Sequence, residues 1–278
     1  MNYMRYIIYL LLLVISAAAC RKTNTEEQAS DTDSIISAVQ SINIQPDTLL
    51  LPDFSFGNIG FVEPAGYRGT EPEDYAHMFE EEWYDFYRDT VSGEYYLHKA
   101  ELEVGKFYDD CLQDSTTYIA SKRGSFFLIK GLQPKEAHIK SLPVNERNKH
   151  IWVGEQYTYT FNGRIYTLRG DGVTVNEDKV YMGDNEEPAR WDEVINYRLY
   201  LSEHGVEGEQ LLIAIPSFND TFVELLWMGD LDEDGRIDFI FSVGRDYESR
   251  RVELFLSSQA VEGEIVRCAG ESGYEFDC

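Results

Sequence analysis

The stretch "QYTYTFNGRIYTLRG", Gln156 to Gly170, constrains the fold most. Polar and apolar residues alternate on both sides of Asn162-Gly163. Asn-Gly is the pair that best tolerates the two positive φ angles of a type I′ turn, so this pattern calls for two antiparallel strands joined by a two-residue loop. That loop length sets the register: Phe161 faces Arg164, Tyr159 faces Tyr166 and Tyr157 faces Leu168. Tyr157, Tyr159, Phe161, Tyr166 and Leu168 then share one face, apolar enough to be the buried one. Thr158, Thr160 and Thr167 fall on the other.

The same grammar runs to the C-terminus. "NYRLYLS" alternates, with Tyr197, Leu199 and Leu201 on one side. "QLLIAIP" is a continuous apolar run ended by Pro216, the pattern of a strand covered on both faces. "TFVELLWM" and "DFIFSV" flank an acidic loop, and "RRVELFLS" alternates with Val252, Leu254 and Leu256 inward. Upstream, "EYYLHKAELEV" and "SFFLIKGL" also read as strands. "TEPEDYAHMFEEEW" is the exception. Thr70 and Glu73 have capping-box spacing, Pro72 falls in the first turn, and Tyr75, Met78, Phe79, Glu82 and Trp83 form a core-facing stripe of a short helix. No repeat of 20–50 residues occurs, so neither a solenoid nor a propeller is expected. The expected fold class is mainly β, an antiparallel sheet or sandwich with one short helix.

The N-terminus sets an address. Arg5 precedes an apolar run from Tyr6 to Ile15, the length of a signal-peptide core and shorter than the ~20 residues of a membrane span. Ala17, Ala18 and Ala19 then lead to Cys20. This resembles a bacterial lipobox, with Ala17 where Leu is more usual. The resemblance implies that residues 1–19 are a lipoprotein signal peptide, and that Cys20 is lipidated and becomes the mature N-terminus. Residues 20–45 are polar and rich in Ser, Thr, Asp, Glu and Gln, a tether too poor in apolar surface to order itself. Residue 21 is Arg, not Asp, which by similarity to lipoprotein sorting implies the outer membrane. Residues 46–278 are expected to form the β-rich domain. Two acyl chains would anchor it stably.

The formal net charge is −26. Such a surface repels nucleic acid and anionic lipid headgroups, so the membrane contact expected is through the N-terminal lipid alone. It attracts cations, whether metals or a basic protein. Besides Cys20, the chain has Cys111, Cys268 and Cys278. An oxidising envelope permits disulfides, and three cysteines leave one thiol over. A turn is expected at "AGESG" between Cys268 and Cys278. With a two-residue turn at Glu271-Ser272, Cys278 faces Ile265. A Cys268–Cys278 bridge therefore needs a different turn, and Cys111 paired with one C-terminal cysteine is the other possibility. The absence of any CxxC or Cys/His cluster argues against zinc.

Between the two apolar runs lies "GDLDEDGRID", Gly229 to Asp238. Asp230, Asp232, Asp234, Gly235 and Asp238 spell D-x-D-x-D-G-x-x-D. Alternate residues of a tightly curled loop aim their carboxylates at a common centre, and Gly235 supplies the sharp turn. In calcium-loop numbering Asp230, Asp232 and Asp234 occupy positions 1, 3 and 5, the Arg236 carbonyl occupies 7 and Asp238 occupies 9. Hard oxygen ligands in a flexible ring suit Ca²⁺ better than Mg²⁺. The loop, 230–241, resembles those of EF-hand and dockerin modules and of FG-GAP or VCBS repeats. Position 12 is Phe241, where an EF-hand carries Glu, and the flanks are strand-like. Both departures favour the strand–loop–strand setting of FG-GAP sites. One copy carries over the ion site and not the propeller. The wider segment from Leu225 to Ser258 is also similar to lipoproteins of Bacteroidetes-type bacteria, a resemblance that implies no activity.

Other motifs carry less. "RGD" at Arg169–Asp171 reads as a turn after a strand rather than an adhesion tripeptide. "GDNEE" around Asp184 reads as a solvated loop. His77, His98, His138, His150 and His204 are scattered, without H-E-x-x-H, and neither G-x-S-x-G nor a Walker A sequence is present. Tyrosine is abundant at 19 residues, with Trp83, Trp152, Trp191 and Trp227 beside it; an exposed aromatic platform would bind sugars, although packing is the commoner use. The expected function is a calcium-stabilised, envelope-anchored binding or structural module with a protein or glycan partner and no catalytic residues. The rivals are a secreted-type hydrolase of glycans or peptidoglycan, and an inhibitor or immunity protein that neutralises a basic effector.

Overall fold

The Asn162-Gly163 hairpin forms with the expected register. In the structure, a computed structural model describing residues 58–134, 137–174, 181–182, 188–189, 193–276 and 278, these two residues have φ of 47° and 80°, the left-handed pair of a type I′ turn. Phe161 pairs with Arg164, Tyr159 with Tyr166 and Tyr157 with Leu168. Phe161, Tyr166 and Leu168 are buried, and Tyr157 and Tyr159 are half-buried against the same core. The expected signal peptide, Cys20, the tether and the loop around Asp184 lie outside the described residues.

The paired strands run antiparallel. A five-stranded sheet carries the acidic loop, its strands ordered Arg267–Glu275, Ser249–Leu256, Asp238–Ser242, Glu224–Gly229 and Ser141–Leu142. Successive residues along a strand face opposite ways, and here both faces are covered. Phe239, Phe241 and Phe255 enter one core with Tyr166, Leu168, Tyr197, Leu199 and Ile213. Those partners belong to a four-stranded sheet of Gln156–Phe161, Arg164–Thr174, Val194–Glu203 and Gln210–Ser217. Ile240, Val252, Leu254 and Leu256 enter a second core with Phe61, Phe86, Leu97, Phe127 and Ile129. These come from a further sheet, ordered Gly60–Val62, Phe127–Lys130, Trp83–Arg88, Tyr95–Lys99 and His138–Ile139. From its far face Trp83 and Leu128 join a third core with Met78 and Ile119, over the three-stranded sheet of Ala65–Tyr67, Asp114–Ser121 and Leu102–Asp109. Among the described residues these four antiparallel sheets stack over three apolar cores. Each fully buried Leu, Ile or Phe in them contributes about 1.5–3 kcal/mol.

Several local expectations change. The helix is a 3₁₀ helix, Pro72–Glu80. It starts one residue later than the Thr70 spacing implies: the Glu71 N–H donates to Asp74 Oδ2 at 2.9 Å, while the Thr70 hydroxyl donates to the Tyr67 carbonyl. A 3₁₀ helix turns every three residues, so the stripe drawn for a 3.6-residue period breaks. Met78 is buried, Phe79 is 57 % exposed, and Trp83 already lies in the next strand. "QLLIAIP" is not covered on both faces. It is an edge strand in which Ile213 and Ile215 face the core while Leu211 is 47 % exposed. Pro216 sits within it, as an edge permits. In "RRVELFLS", Glu253 and Phe255 are buried along with Val252, Leu254 and Leu256, because a second sheet covers the other face.

The expected turn at "AGESG" does not exist. Arg267–Glu275 is one strand, with Ser272 opposite Val252 and Glu271 opposite Glu253. The glycine at 270 serves close approach instead: a Cβ there would lie 2.6 Å from the Cβ of Phe61. "RGD" is likewise mid-strand, inside Arg164–Thr174, with a bulge between Asp171 and Val173. Arg169 is held by both carboxylate oxygens of Glu209 at 2.8 and 3.0 Å and stacks over Tyr200. The disulfide joins Cys111 to Cys278, Cα atoms 5.3 Å apart, and Cys268 keeps a buried thiol.

Candidate metal centre

The acidic loop connects Glu224–Gly229 to Asp238–Ser242, a strand–loop–strand setting. Gly229 pairs with Asp238 at its neck, and the Asp230 N–H donates to the Lys140 carbonyl at 2.9 Å. Inside the loop Glu233 and Gly235 have φ of 59° and 87°. The left-handed turn expected of Gly235 is therefore present, and it brings the Gly235 N–H to Asp230 Oδ2 at 3.0 Å.

Asp230, Asp232 and Asp238 converge: each offers one carboxylate oxygen within 4.8 Å of the others. Asp238 is fully buried, accepting from Leu231 N–H at 2.7 Å and from Ser257 N–H at 2.8 Å. Asp230 is 8 % exposed. Asp232 accepts from the Ser258 hydroxyl. Asp230 Oδ1 and Asp232 Oδ1 are buried with no hydrogen-bond partner. Burial, with neighbouring aspartates as a lesser cause, raises all three carboxyls above the ordinary range, Asp238 most strongly. Two buried acids and one half-buried acid in mutual repulsion, two of the three with an unspent acceptor oxygen, form a donor set that a hard cation satisfies.

The side chains of the other two predicted residues bond elsewhere, although the ligand expected of Arg236 is its carbonyl. Asp234 is not part of the three-acid cluster; its carboxylate accepts from Arg236 N–H at 2.7 Å and from the Ser257 hydroxyl at 2.8 Å. Arg236 turns its guanidinium to the Ile265 carbonyl at 3.0 Å and toward Glu203 at 3.9 Å. Sequence reasoning missed Ser257 and Ser258, which reach the loop from the end of Ser249–Leu256. They are 19 or more residues from the acids they hold, so no local spacing marks them. It also missed that Asn162 of the type I′ turn donates to the Gly235 carbonyl at 2.9 Å, docking one hairpin on the other.

Comparison with known proteins finds no matching family model, no similar curated protein and no similar solved structure.

Proposed function

We propose that this protein is a lipid-anchored envelope module, non-catalytic, in which Ca²⁺ bound by the Asp230–Asp238 loop staples two strands of a central sheet. The convergence of three mostly buried carboxylates with two unpartnered oxygens carries the metal reading. Asp230, Asp232 and Asp238 supply the carboxylates, the Arg236 carbonyl supplies a neutral oxygen, and Asp234 acts from the second rank through Ser257. A loop lacking an acid at Phe241 binds in the range of extracellular modules, Kd ~10⁻⁴ to 10⁻³ M.

At 10 mM Ca²⁺ that affinity corresponds to about 1–3 kcal/mol of stabilisation, a rise in Tm of roughly 3–10 °C. Asp232→Ala abolishes the rise, while Mg²⁺ reproduces little of it. The sign with pH follows from the raised carboxyls. Without metal, stability falls as pH rises through their range, so the calcium increment grows with pH and vanishes in acid. An unchanged Tm in millimolar Ca²⁺ at pH 7.5 would sink the reading. Anchoring is supported by the Tyr6–Ile15 run, the small residues and Cys20. Metabolic labelling with a radioactive fatty acid should require Cys20, and labelling that persists in Cys20→Ala would contradict it.

A further inference from the structure

A second set of groups lies on another sheet. Phe86, Leu97 and Ile139 point into the second core, so their strand neighbours face the opposite way. On that far face, beside the part that Trp83 and Leu128 carry into the third core, Asp85 lies opposite His98, Tyr87 opposite Tyr96, and Tyr96 opposite His138. The Tyr87 and Tyr96 rings stack with centroids 5.8 Å apart, and His138 meets Tyr96 edge-on at 5.5 Å. The Tyr87 hydroxyl bonds His98 Nδ1 at 2.9 Å. Arg123, from the turn after Asp114–Ser121, lies 5.1 Å over the Tyr87 ring with its Nε 3.5 Å from Asp85 Oδ2. Asp85 is 1 % exposed, yet its Oδ1 has no partner. It lines a cleft of about 240 Å³ with Lys99, Glu101, Lys122 and Arg123.

A buried carboxylate with one oxygen unspent calls for a donor. Lys99, Lys122 and Arg123 on the cleft wall disfavour a cationic donor, and because they are already paired with Glu82, Glu101 and Asp85 on a chain of net charge −26 they do not select an anionic ligand. A neutral hydroxyl remains. Aromatic rings beside an Asp–Arg pair offer both things a sugar presents, an apolar C–H face and hydroxyls that donate and accept. The cleft is smaller than the ~300–1,000 Å³ of pockets for drug-sized ligands, which suits a single sugar unit of a longer chain crossing the face.

We propose that this face binds a neutral glycan, which runs along the Tyr87–Tyr96–His138 aromatic row with a sugar hydroxyl entering the adjoining cleft that Asp85 and Arg123 line. It names the ligand class of the binding module proposed above, but the residues are distinct from the calcium loop. The test is affinity electrophoresis of the full-length protein in detergent, through gels holding starch, galactomannan, xyloglucan or dextran. At least one should retard migration, and Tyr96→Ala or the isosteric Asp85→Asn should weaken retardation at least tenfold. Tyr108→Ala, at an exposed aromatic elsewhere, should leave it unchanged. Circular dichroism and Tm verify folding, and His138→Ala replaces any variant that misfolds. No retardation in any of the four gels overturns the proposal, as does retardation that survives Tyr96→Ala. Retardation retained in Asp232→Ala supports the glycan site whether or not calcium binds.

Discussion

Glu253 shows what a single residue costs in a strand buried on both faces. It lies opposite Glu271, with Arg251 Nη2 at 3.2 Å. Burial pushes its carboxyl up to about 7; Arg251 opposes that shift and Glu271 adds to it. Because the folded value lies above the unfolded one, the stability it confers is complete below pH ~4.5 and is lost as pH rises through about 7. Between pH 5.5 and 9 the protein should lose roughly 1–3 kcal/mol through this group. Glu253→Gln should remove that slope, being near neutral at pH 5.5 and stabilising at pH 9. Urea midpoints at the two pH values, with Ca²⁺ held saturating, give the comparison; parallel pH profiles for the two proteins would refute it.

At the scale of the element, legibility followed the range of the cause. The hairpin was readable because loop length alone dictates its pairing, down to Tyr159 against Tyr166. The acidic loop was readable because Gly235 and alternate aspartates act within ten residues of chain, and Asp230, Asp232 and Asp238 do converge. Elements were misread where distant packing decides. Glycines in "AGESG" look like a turn until Phe61 is found against Gly270, about 210 residues away in sequence. "QLLIAIP" looks covered on both faces, yet nothing local reveals that it closes the edge of its sheet. The same limit hid the contacts of Ser257 and Ser258 with the acidic loop, and the pairing of Tyr87, Tyr96 and His138 across three strands.

At the scale of the molecule, the Cys111–Cys278 bridge fixes how the chain can bear load. It ties Cys278 to the turn between Leu102–Asp109 and Asp114–Ser121, across a separation of 167 residues. That span holds the central sheet, the acidic loop and the Asn162 hairpin. Tension between the N-terminus and Cys278 crosses the sulfur–sulfur bond and bypasses everything inside the ring. In single-molecule stretching, the oxidised chain should extend roughly 550–600 Å less than the reduced one, the contour of the enclosed residues. Equal extensions would show the ring to be open. Under such a pull the bridge is a safety stop: the strands ahead of Cys111 can give way, and the acidic loop is held out of the path of the force.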